Sequence, residues 1–482
     1  MLFRIIAFAA ALSCASAAAE PADQWRALTR ADVEAAHTLL REDHPAASRG
    51  IADDAFRTQL DSAYRLARQR AGQVENYNGY LATMAGFANA MGDRHIWSRP
   101  LYRADRIQWA GLIVAKRGAD YVVVTDERGG DAAPSLVGAR LVSCDGRAVA
   151  TLAEEKLGGF HGVWSIEAQR VQSAPQLLVD DGNPFVTRPT ACSFARDGVD
   201  AEVSLAWRSI SRTDLAARTG PARNFGAAGY GLRDVGDIAW IALQLLNEEG
   251  RAAAQAAATE GERLRAARVV VLDLRGNGGG ASQYARPIAV ALFGQARFDA
   301  IVGASDGEGG GDCDSVWRVS PRNMAQLRAY RTQFASSPDF VAEIDRTLAA
   351  AERAEREGRD LSGPVTCGAE QAAGDAAQAP PQVAQGRIVL LTDNACFSSC
   401  LIVADEFRRL GALHIGNATN ANTHYSEVRE ELLPSGLSMF STLQAMIASA
   451  PAAYGPFEPS IVYAGDMTDT AAVEAWVAEV TR

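Results

Sequence analysis

The sequence predicts an α/β protein with a largely parallel sheet, a helical N-terminal region and a small β-rich domain. Three changes of pattern support this. Residues 22–92 carry apolar side chains at helical spacing, residues 107–210 contain short apolar strands separated by turns, and residues 226–482 alternate strands with helices. A chain of 482 residues is also long enough for two or three domains.

The helical region contains three apolar patterns, which start near Val33, Phe56 and Tyr77. Before it, a short apolar run from Ile5 to Leu12 leads to alanines ending at Ala19. This arrangement is typical of a secretory signal peptide, and the run is too short for a membrane span. We therefore expect an exported protein, periplasmic or secreted, that does not span the membrane.

The predicted domains follow from these patterns. In the β-rich part, Gly138 to Val149 is predicted to form a strand, an Asp-Gly turn and a return strand. In the α/β part, the clearest strands are Val269 to Leu274 and Ile388 to Leu391, and strand–helix alternation implies a parallel sheet. The expected boundaries are a signal peptide at 1–19, a helical domain at 20–100, a β-rich domain at 101–215, and an α/β domain at 225–482 with an insertion at about 304–386.

Composition limits the function. The net charge of −11 argues against a nucleic-acid surface. Basic residues are almost entirely arginine, since Lys116 and Lys156 are the only lysines. After Cys14 is removed with the signal peptide, six cysteines remain, and their even number suggests disulfides in an oxidising compartment. The simplest pairing joins neighbours in sequence: Cys144 with Cys192, Cys313 with Cys367, and Cys396 with Cys400.

The most informative segment is the strand that ends in Asp273-Leu274-Arg275-Gly276-Asn277-Gly278-Gly279-Gly280. Glycines between a buried strand and a helix expose backbone N–H groups. Such a loop suits a negative charge, either a bound phosphate or an oxyanion formed during a reaction.

A second strand–turn–helix unit places Ser399 at the start of a helix. Serine is a preferred helix N-cap, but a serine at this sheet edge could also be a nucleophile, which needs a base. No lysine follows Lys156. Among the six histidines, His95 and His424 are the candidates, because His414 lies in an apolar strand-like run.

These segments resemble signatures of the tail-specific (C-terminal processing) and tricorn-like serine peptidases. The glycine segment is similar to their D-L-R-x-N-x-G-G motif, and Cys396 to Phe407 is similar to their serine motif. The resemblance implies a ClpP/crotonase-like catalytic domain and a PDZ-like β-rich domain. It also implies a polypeptide substrate, with neither nucleotide nor metal or other cofactor; the oligomeric state stays open.

The tail-specific branch uses a lysine downstream of its serine, and this chain has none there. In the tricorn-like branch a histidine and a glutamate take part, and His95 and Glu458 match those positions. The resemblance thus implies a Ser399–His95–Glu458 triad, with His424 as the alternative base. The oxyanion hole would combine the Cys400 N–H with that of Gly279 or Gly280. The expected activity is that of a serine endopeptidase.

Two other functions compete. Gly276-x-Gly278-x-x-Ala281 satisfies a dinucleotide-binding fingerprint, with Asp299 near the expected acidic position. However, Asp299 precedes the next strand's apolar run instead of ending it. The second alternative is a non-catalytic peptide- or ligand-binding protein on the same fold, similar to the photoreceptor retinoid-binding proteins.

Overall fold

A computed structural model describes residues 22–129, 134–303, 315–363, 379–447 and 453–482. The predicted signal peptide and the predicted Cys313–Cys367 pair lie outside these residues. Within the described ranges, no helix combines the length and the apolar character that crossing a bilayer requires.

The N-terminal region is helical, as predicted. Its helices are α1 (Ala22–Asp43), α2 (Asp54–Ala71) and α3 (Tyr77–Asn89). Asp53 and Asn76 cap α2 and α3 by accepting backbone N–H groups of the first turn. A short strand, β1 (Ser98–Pro100), follows the loop that leaves α3.

The β-rich part contains two antiparallel sheets. Its strands are β2 (Arg106–Trp109), β3 (Leu112–Arg117), β4 (Asp120–Asp126), β5 (Arg140–Cys144), β6 (Arg147–Ala148), β7 (Val179–Asp180), β8 (Ala191–Arg196), β9 (Val199–Ser204) and β10 (Arg208–Ser211). Its helices are α4 (Val149–Ala153), α5 (Glu167–Ser173) and α6 (Arg212–Ala222). The larger sheet has the order β3-β4-β5-β8-β9, with β6 on β5, and the smaller one has the order β10-β2-β7. The predicted Asp145-Gly146 turn is confirmed, with both residues at positive φ.

The α/β part begins with β11 (Tyr230–Val235) and β12 (Ile238–Leu243). It continues through α7 (Glu248–Thr259), α8 (Gly261–Ala266), β13 (Val269–Asp273), α9 (Arg286–Phe293), α10 (Gln295–Ile301), β14 (Val316–Trp317), α11 (Pro321–Gln333), α12 (Pro338–Arg356), β15 (Arg387–Thr392), α13 (Ser399–Leu410), β16 (Leu413–Gly416), β17 (Asn422–Thr423), β18 (Tyr425–Leu432), β19 (Ser438–Met446), β20 (Ala453–Tyr454), β21 (Ile461–Val462) and α14 (Thr470–Val480).

The central sheet has the order β11-β12-β13-β15-β16-β21, and every pair except β11–β12 is parallel. The largely parallel sheet predicted from the sequence is therefore confirmed. Side chains of α7–α10 and α13 form one core on one face of this sheet, and α14 covers the other face. Strands β13 and β15 are adjacent, so the loops at their carboxyl ends lie side by side.

The hairpin β18–β19 connects distant parts of the chain. Strand β19 pairs with β1 from the N-terminal region and with β14 from the insertion. Phe440 and Leu443 of β19 pack in one core with Leu40, Tyr80 and Phe87 of the N-terminal helices. Helices α11 and α12 lie within the insertion expected at about 304–386. The pairing of β1 with β19 holds the segment between α3 and β1, which contains His95.

Candidate active site

The loop between β15 and α13, residues 393–398, is here called the serine loop. Ser398 ends it with φ 57° and ψ −132°, a conformation that residues other than glycine rarely adopt. Such a backbone costs about 1–3 kcal/mol and recurs at functional sites. Ser398 occupies the N-cap position of α13, yet its side chain makes no capping hydrogen bond. Its hydroxyl is turned away from the helix.

The hydroxyl of Ser398 contacts His95. Ser398 Oγ lies 3.1 Å from His95 Nε2. Ser399, which the sequence analysis expected beside the histidine, instead donates its hydroxyl to the Gly280 carbonyl oxygen at 2.6 Å. The expected Ser399–His95 contact is therefore wrong. The positive φ of Ser398 rotates the two neighbouring side chains to different sides of the loop, and only the first reaches the imidazole.

His95 is held by its own segment and by the serine loop. Its backbone N–H donates to Asp93 Oδ1 at 2.8 Å, and its carbonyl oxygen accepts the Ser441 hydroxyl at 2.8 Å. The imidazole stacks on Phe397, with ring centroids 4.5 Å apart. The side chain is buried, with 7% of the residue exposed. These contacts leave the ring little freedom to rotate.

Asp93 accepts the other ring nitrogen. His95 Nδ1 lies 3.0 Å from Asp93 Oδ1, and the Thr423 hydroxyl donates to Asp93 Oδ2. Burial by itself would raise the pKa of the Asp93 carboxyl, but hydrogen bonds and the charge interaction with His95, together with Thr423, lower this pKa to about 2. A charged Asp93 keeps the proton on Nδ1, so Nε2 can accept the Ser398 hydroxyl proton.

Glu458, expected to orient the imidazole, does not lie beside it. Its side chain is exposed, and its backbone faces His414 on β16. Asp93 makes the contact with His95 Nδ1 that was expected of Glu458. An aspartate two residues before the histidine was a signal available in the sequence, because a side chain at that spacing can hydrogen-bond the backbone and ring together.

His424 and His414 each contact a neighbouring side chain. His424, the alternative base, is half-buried and packs edge-on against Tyr425, with ring centroids 4.5 Å apart. His414 is buried in β16, where its Nε2 lies 2.8 Å from the Thr392 hydroxyl. The prediction that His414 is a packed residue is confirmed.

The loop after β13, residues 274–280, is here called the glycine loop. At its base, Asp273 and Arg275 form a fully buried ion pair, with Oδ2 and Nη2 2.8 Å apart. Asp273 also accepts the Trp240 indole N–H at 3.0 Å, and Arg275 donates to the Met467 carbonyl oxygen at 3.0 Å. Every charged group here has a partner, as burial requires. The ion pair fixes the start of the loop.

Two further side chains connect the loops. The Asn277 side chain donates to the Leu243 carbonyl oxygen at 2.7 Å and accepts the Gly279 N–H at 2.8 Å. The backbone carbonyl oxygen of Asn277 accepts the Phe397 N–H. Asp393 accepts N–H groups from Gly276 and from two other backbone positions. Burial raises the pKa of the Asp393 carboxyl to about 6 although these donors lower it. The glycine and serine loops therefore form one hydrogen-bonded unit.

Two of the three N–H groups predicted to bind the oxyanion, those of Cys400 and Gly279, already have acceptors. The Cys400 N–H donates to the Phe397 carbonyl oxygen at 3.2 Å, and the Gly279 N–H is taken by Asn277. In contrast, the N–H groups of Gly280 and Ser399 have no acceptor among the residues the structure describes. Since Ser398 and not Ser399 contacts His95, the amide that follows the contacting serine is that of Ser399 and not that of Cys400.

Close contact between the loops requires glycine at 279. A Cβ built there would lie 2.8 Å from Ser398 Cβ and 2.9 Å from the Phe397 carbonyl oxygen, and the φ of Gly279 is 105°. At Gly278 a Cβ would meet only Leu245 Cδ2, at 3.9 Å. The absence of a side chain at 279 therefore permits the glycine loop to touch Ser398.

Cys396 and Cys400 form a disulfide that encloses Ser398, and Cys144 pairs with Cys192. Both pairings were predicted. Over the described part of the chain, no group of three or more histidine, cysteine, aspartate or glutamate side chains is placed to hold a metal ion.

Comparison with known proteins is consistent with this site. The profile of Peptidase family S41 matches residues 237–450. No curated protein matches the chain. The chain has a fold similar to mature CPAF, with a TM-score of 0.60 and 13% identity over 95% of this chain and 98% of that one.

CPAF complexed with lactacystin aligns with a TM-score of 0.57 and 13% identity, over 95% of this chain and 99% of that one. The tricorn protease aligns with a TM-score of only 0.36 and 12% identity, over 95% of this chain and 37% of that one. The S41 segment contains both the glycine loop and the serine loop. Over residues 237–450 the α/β part is thus similar to peptidase family S41, and the chain is a serine peptidase.

Proposed function

We propose that Ser398 is the nucleophile, His95 the general base and Asp93 the residue that orients His95. One observation carries this proposal: the continuous contact from Ser398 Oγ to His95 Nε2 and from His95 Nδ1 to Asp93 Oδ1. A hydroxyl, an imidazole and a carboxylate in this order are the parts of a serine-peptidase triad. The assignment replaces Ser399 and Glu458.

The proposed reaction is acyl transfer. The Ser398 hydroxyl gives its proton to His95 Nε2 as Oγ bonds to the peptide carbonyl carbon, and the carbonyl oxygen becomes an oxyanion. His95 then gives the proton to the leaving nitrogen as the C–N bond breaks. Water, deprotonated by His95, attacks the ester on Ser398 and releases the second product. Negative Asp93 stabilises the imidazolium formed in each step.

The oxyanion is proposed to bind the Ser399 N–H and an N–H of the glycine loop. Gly280 is the preferred second donor, because its amide has no acceptor among the described residues whereas that of Gly279 donates to Asn277. Ser399 begins α13, so the helix dipole adds to this site. The Ser399 side chain holds the Gly280 carbonyl and thus supports the second donor.

We propose that the enzyme is an exported endopeptidase acting on polypeptides. Support for export comes from the Cys144–Cys192 and Cys396–Cys400 disulfides and from the signal-peptide pattern at 1–19. The β-rich part is proposed to be the PDZ-like module and the α/β part a ClpP/crotonase-like domain, in line with the S41 match.

The direct test is labelling with a fluorophosphonate probe, which modifies an activated serine. We expect the wild-type chain and Ser399→Ala to be labelled and Ser398→Ala to remain unlabelled while folded. Lactacystin, which binds CPAF, is a second probe and should compete with labelling. Retained labelling of Ser398→Ala together with loss in Ser399→Ala would return the nucleophile to Ser399.

A further inference from the structure

Beside the candidate site lies a cavity of about 600 Å³, a size typical of ligand pockets. It is enclosed by α3, by α6 and by the segment around Gln172 at the end of α5. Its walls carry four arginines and one aspartate: Arg94, Arg103, Arg212, Arg223 and Asp181. A protein with a net charge of −11 thus concentrates positive charge in one cavity.

The four arginines lack carboxylate partners. Among the residues that the structure describes, none of them forms an ion pair, although the nearby Arg218 pairs with Glu127 at 2.7 Å. Arg94 donates to the neutral amide of Gln172, and Arg212 donates to a backbone carbonyl oxygen. Arg223 Nε is buried and has no hydrogen-bond partner there. Arg212 and Arg223 are half-buried, whereas Arg94 and Arg103 are exposed. A half-buried guanidinium group without a counter-charge is costly unless a ligand supplies one.

Neighbouring arginines also repel one another. Burial lowers the pKa of Arg94, and Arg223 lowers it further. Burial likewise lowers the pKa of Arg212, with Arg103 adding to the effect and Asp181 opposing it. Asp181 Oδ2 lies 3.9 Å from His161 Nε2, and burial lowers the pKa of that imidazole. The remaining charge of the cavity is positive.

The cavity is connected to the catalytic residues through Arg94. This residue precedes His95, and its guanidinium carbon lies 5.5 Å from the centroid of the Phe397 ring on which His95 stacks. A general acid protonates the leaving nitrogen, so the substrate segment C-terminal to the cleaved bond departs on the His95 side. The cavity therefore adjoins the path of that segment.

We propose that this arginine cavity binds a carboxylate on the part of the substrate that follows the scissile bond. The inference rests on the proposed function and extends it to substrate preference. Guanidinium groups recognise carboxylates through paired hydrogen bonds. The carboxylate has two sources, an acidic side chain or the chain terminus of a short substrate.

The test uses matched quenched-fluorescent peptides that differ at one position downstream of the cleaved bond, Glu, Gln or Lys. Each is made with a free and with an amidated C-terminus. We expect the Glu peptide to exceed the Gln peptide at least about tenfold in kcat/KM. Faster cleavage of the free-terminus peptides than of the amidated ones, whichever residue stands at the varied position, would assign the site to the terminal carboxylate and would still support a carboxylate cavity.

The matched variants are Arg103→Gln/Arg223→Gln, in the cavity, and Arg328→Gln/Arg331→Gln, which removes the same charge from α11. The first should lose the Glu preference, and circular dichroism reports on its folding. The second should keep the preference. Arg103→Glu should favour Lys over Glu.

Two outcomes would overturn the proposal, and they are distinguishable. Equal kcat/KM for Glu, Gln and Lys peptides with either terminus, with cleavage abolished by Ser398→Ala, rejects the carboxylate cavity and leaves the triad intact. No cleavage of any peptide by the wild-type chain rejects the triad function and this inference with it.

Discussion

The glycine loop and the serine loop follow adjacent parallel strands, yet they are built differently. The glycine loop contributes backbone only and is fixed from below by the Asp273–Arg275 ion pair and by Asn277. The serine loop contributes a side chain, on a residue with φ 57°, and is closed by the Cys396–Cys400 disulfide. The two loops of one site are therefore held in place by different means: a polar network in the glycine loop and a covalent link in the serine loop.

The strongest test of this contrast is Ser398→Ala beside Ser399→Ala. Removing the nucleophile should lower kcat by about 10⁴–10⁶-fold, since triads act as units. Removing the Ser399 hydroxyl loses one hydrogen bond to Gly280 and should cost about tenfold or less. The measurement is peptide hydrolysis, with circular dichroism to verify folding. Similar losses in both variants would contradict the division of roles.

The next largest effect is expected for Asp93→Asn. The amide cannot hold the proton on His95 Nδ1 as a charged carboxylate does, so kcat should fall by about 10³–10⁴-fold. Glu458→Gln is the control and should retain nearly full kcat, because Glu458 is exposed. The opposite ranking of these two variants would restore the Glu458 assignment.

In the glycine loop, Gly279→Ala should lower kcat by about 10²–10³-fold, because its Cβ would collide with Ser398 and displace the oxyanion site. Gly278→Ala adds the same methyl group where only Leu245 is within reach, at 3.9 Å. It should change kcat only slightly. A harmless Gly279→Ala would show that the two loops are not in the contact described.

For the disulfides, Cys396→Ser/Cys400→Ser and Cys144→Ser/Cys192→Ser form a matched pair. Loop-closure entropy gives about 2 kcal/mol for the short ring and about 4 kcal/mol for the longer one, with sequence separations of 4 and 48. Denaturant unfolding should thus show the larger loss for the second variant. Activity of the folded protein should fall more, about tenfold, for the first, because it frees the serine loop. Unchanged activity of Cys396→Ser/Cys400→Ser would show that the disulfide does not hold the serine loop in place.

The smallest effect concerns pH. The pKa of Asp93 is lowered in the folded state to about 2 from 3.8, so the unfolded chain binds the proton more tightly. Its contribution to the free energy of unfolding is present above pH 3.8 and is lost as the pH falls towards 2. Urea unfolding of the wild type and Asp93→Asn should therefore converge over this range. A constant difference would contradict the charged Asp93.

Much of this organisation was predictable. The three helical patterns, the Asp145-Gly146 turn and the parallel sheet follow from short-range rules of periodicity and turn chemistry. The two loops were also predictable, since each is a strand, a turn and a helix in continuous sequence. Ser398 and Ser399 were not separable in this way. Both are small polar residues at a helix start, and the sequence does not encode which one adopts a positive φ.

The environment of Asp93 also could not be predicted from the sequence alone. Its carboxylate lies two residues before His95 in the sequence, but its environment also depends on Thr423, which is 330 residues further along the chain. The four arginines of the cavity are likewise spread over the N-terminal region and the β-rich part. Only the packing of these parts against one another creates their common environment.

The sequence alone predicts the strands of the α/β part, the glycine loop, His95 and the pairing of cysteines that lie close along the chain, because these depend on local backbone and side-chain preferences. Tertiary packing brings Ser398 rather than Ser399 to His95, and it leaves the N–H groups of Ser399 and Gly280 without an acceptor among the described residues. These choices depend on contacts across some three hundred residues, where a rotation of one peptide unit exchanges Ser398 for Ser399.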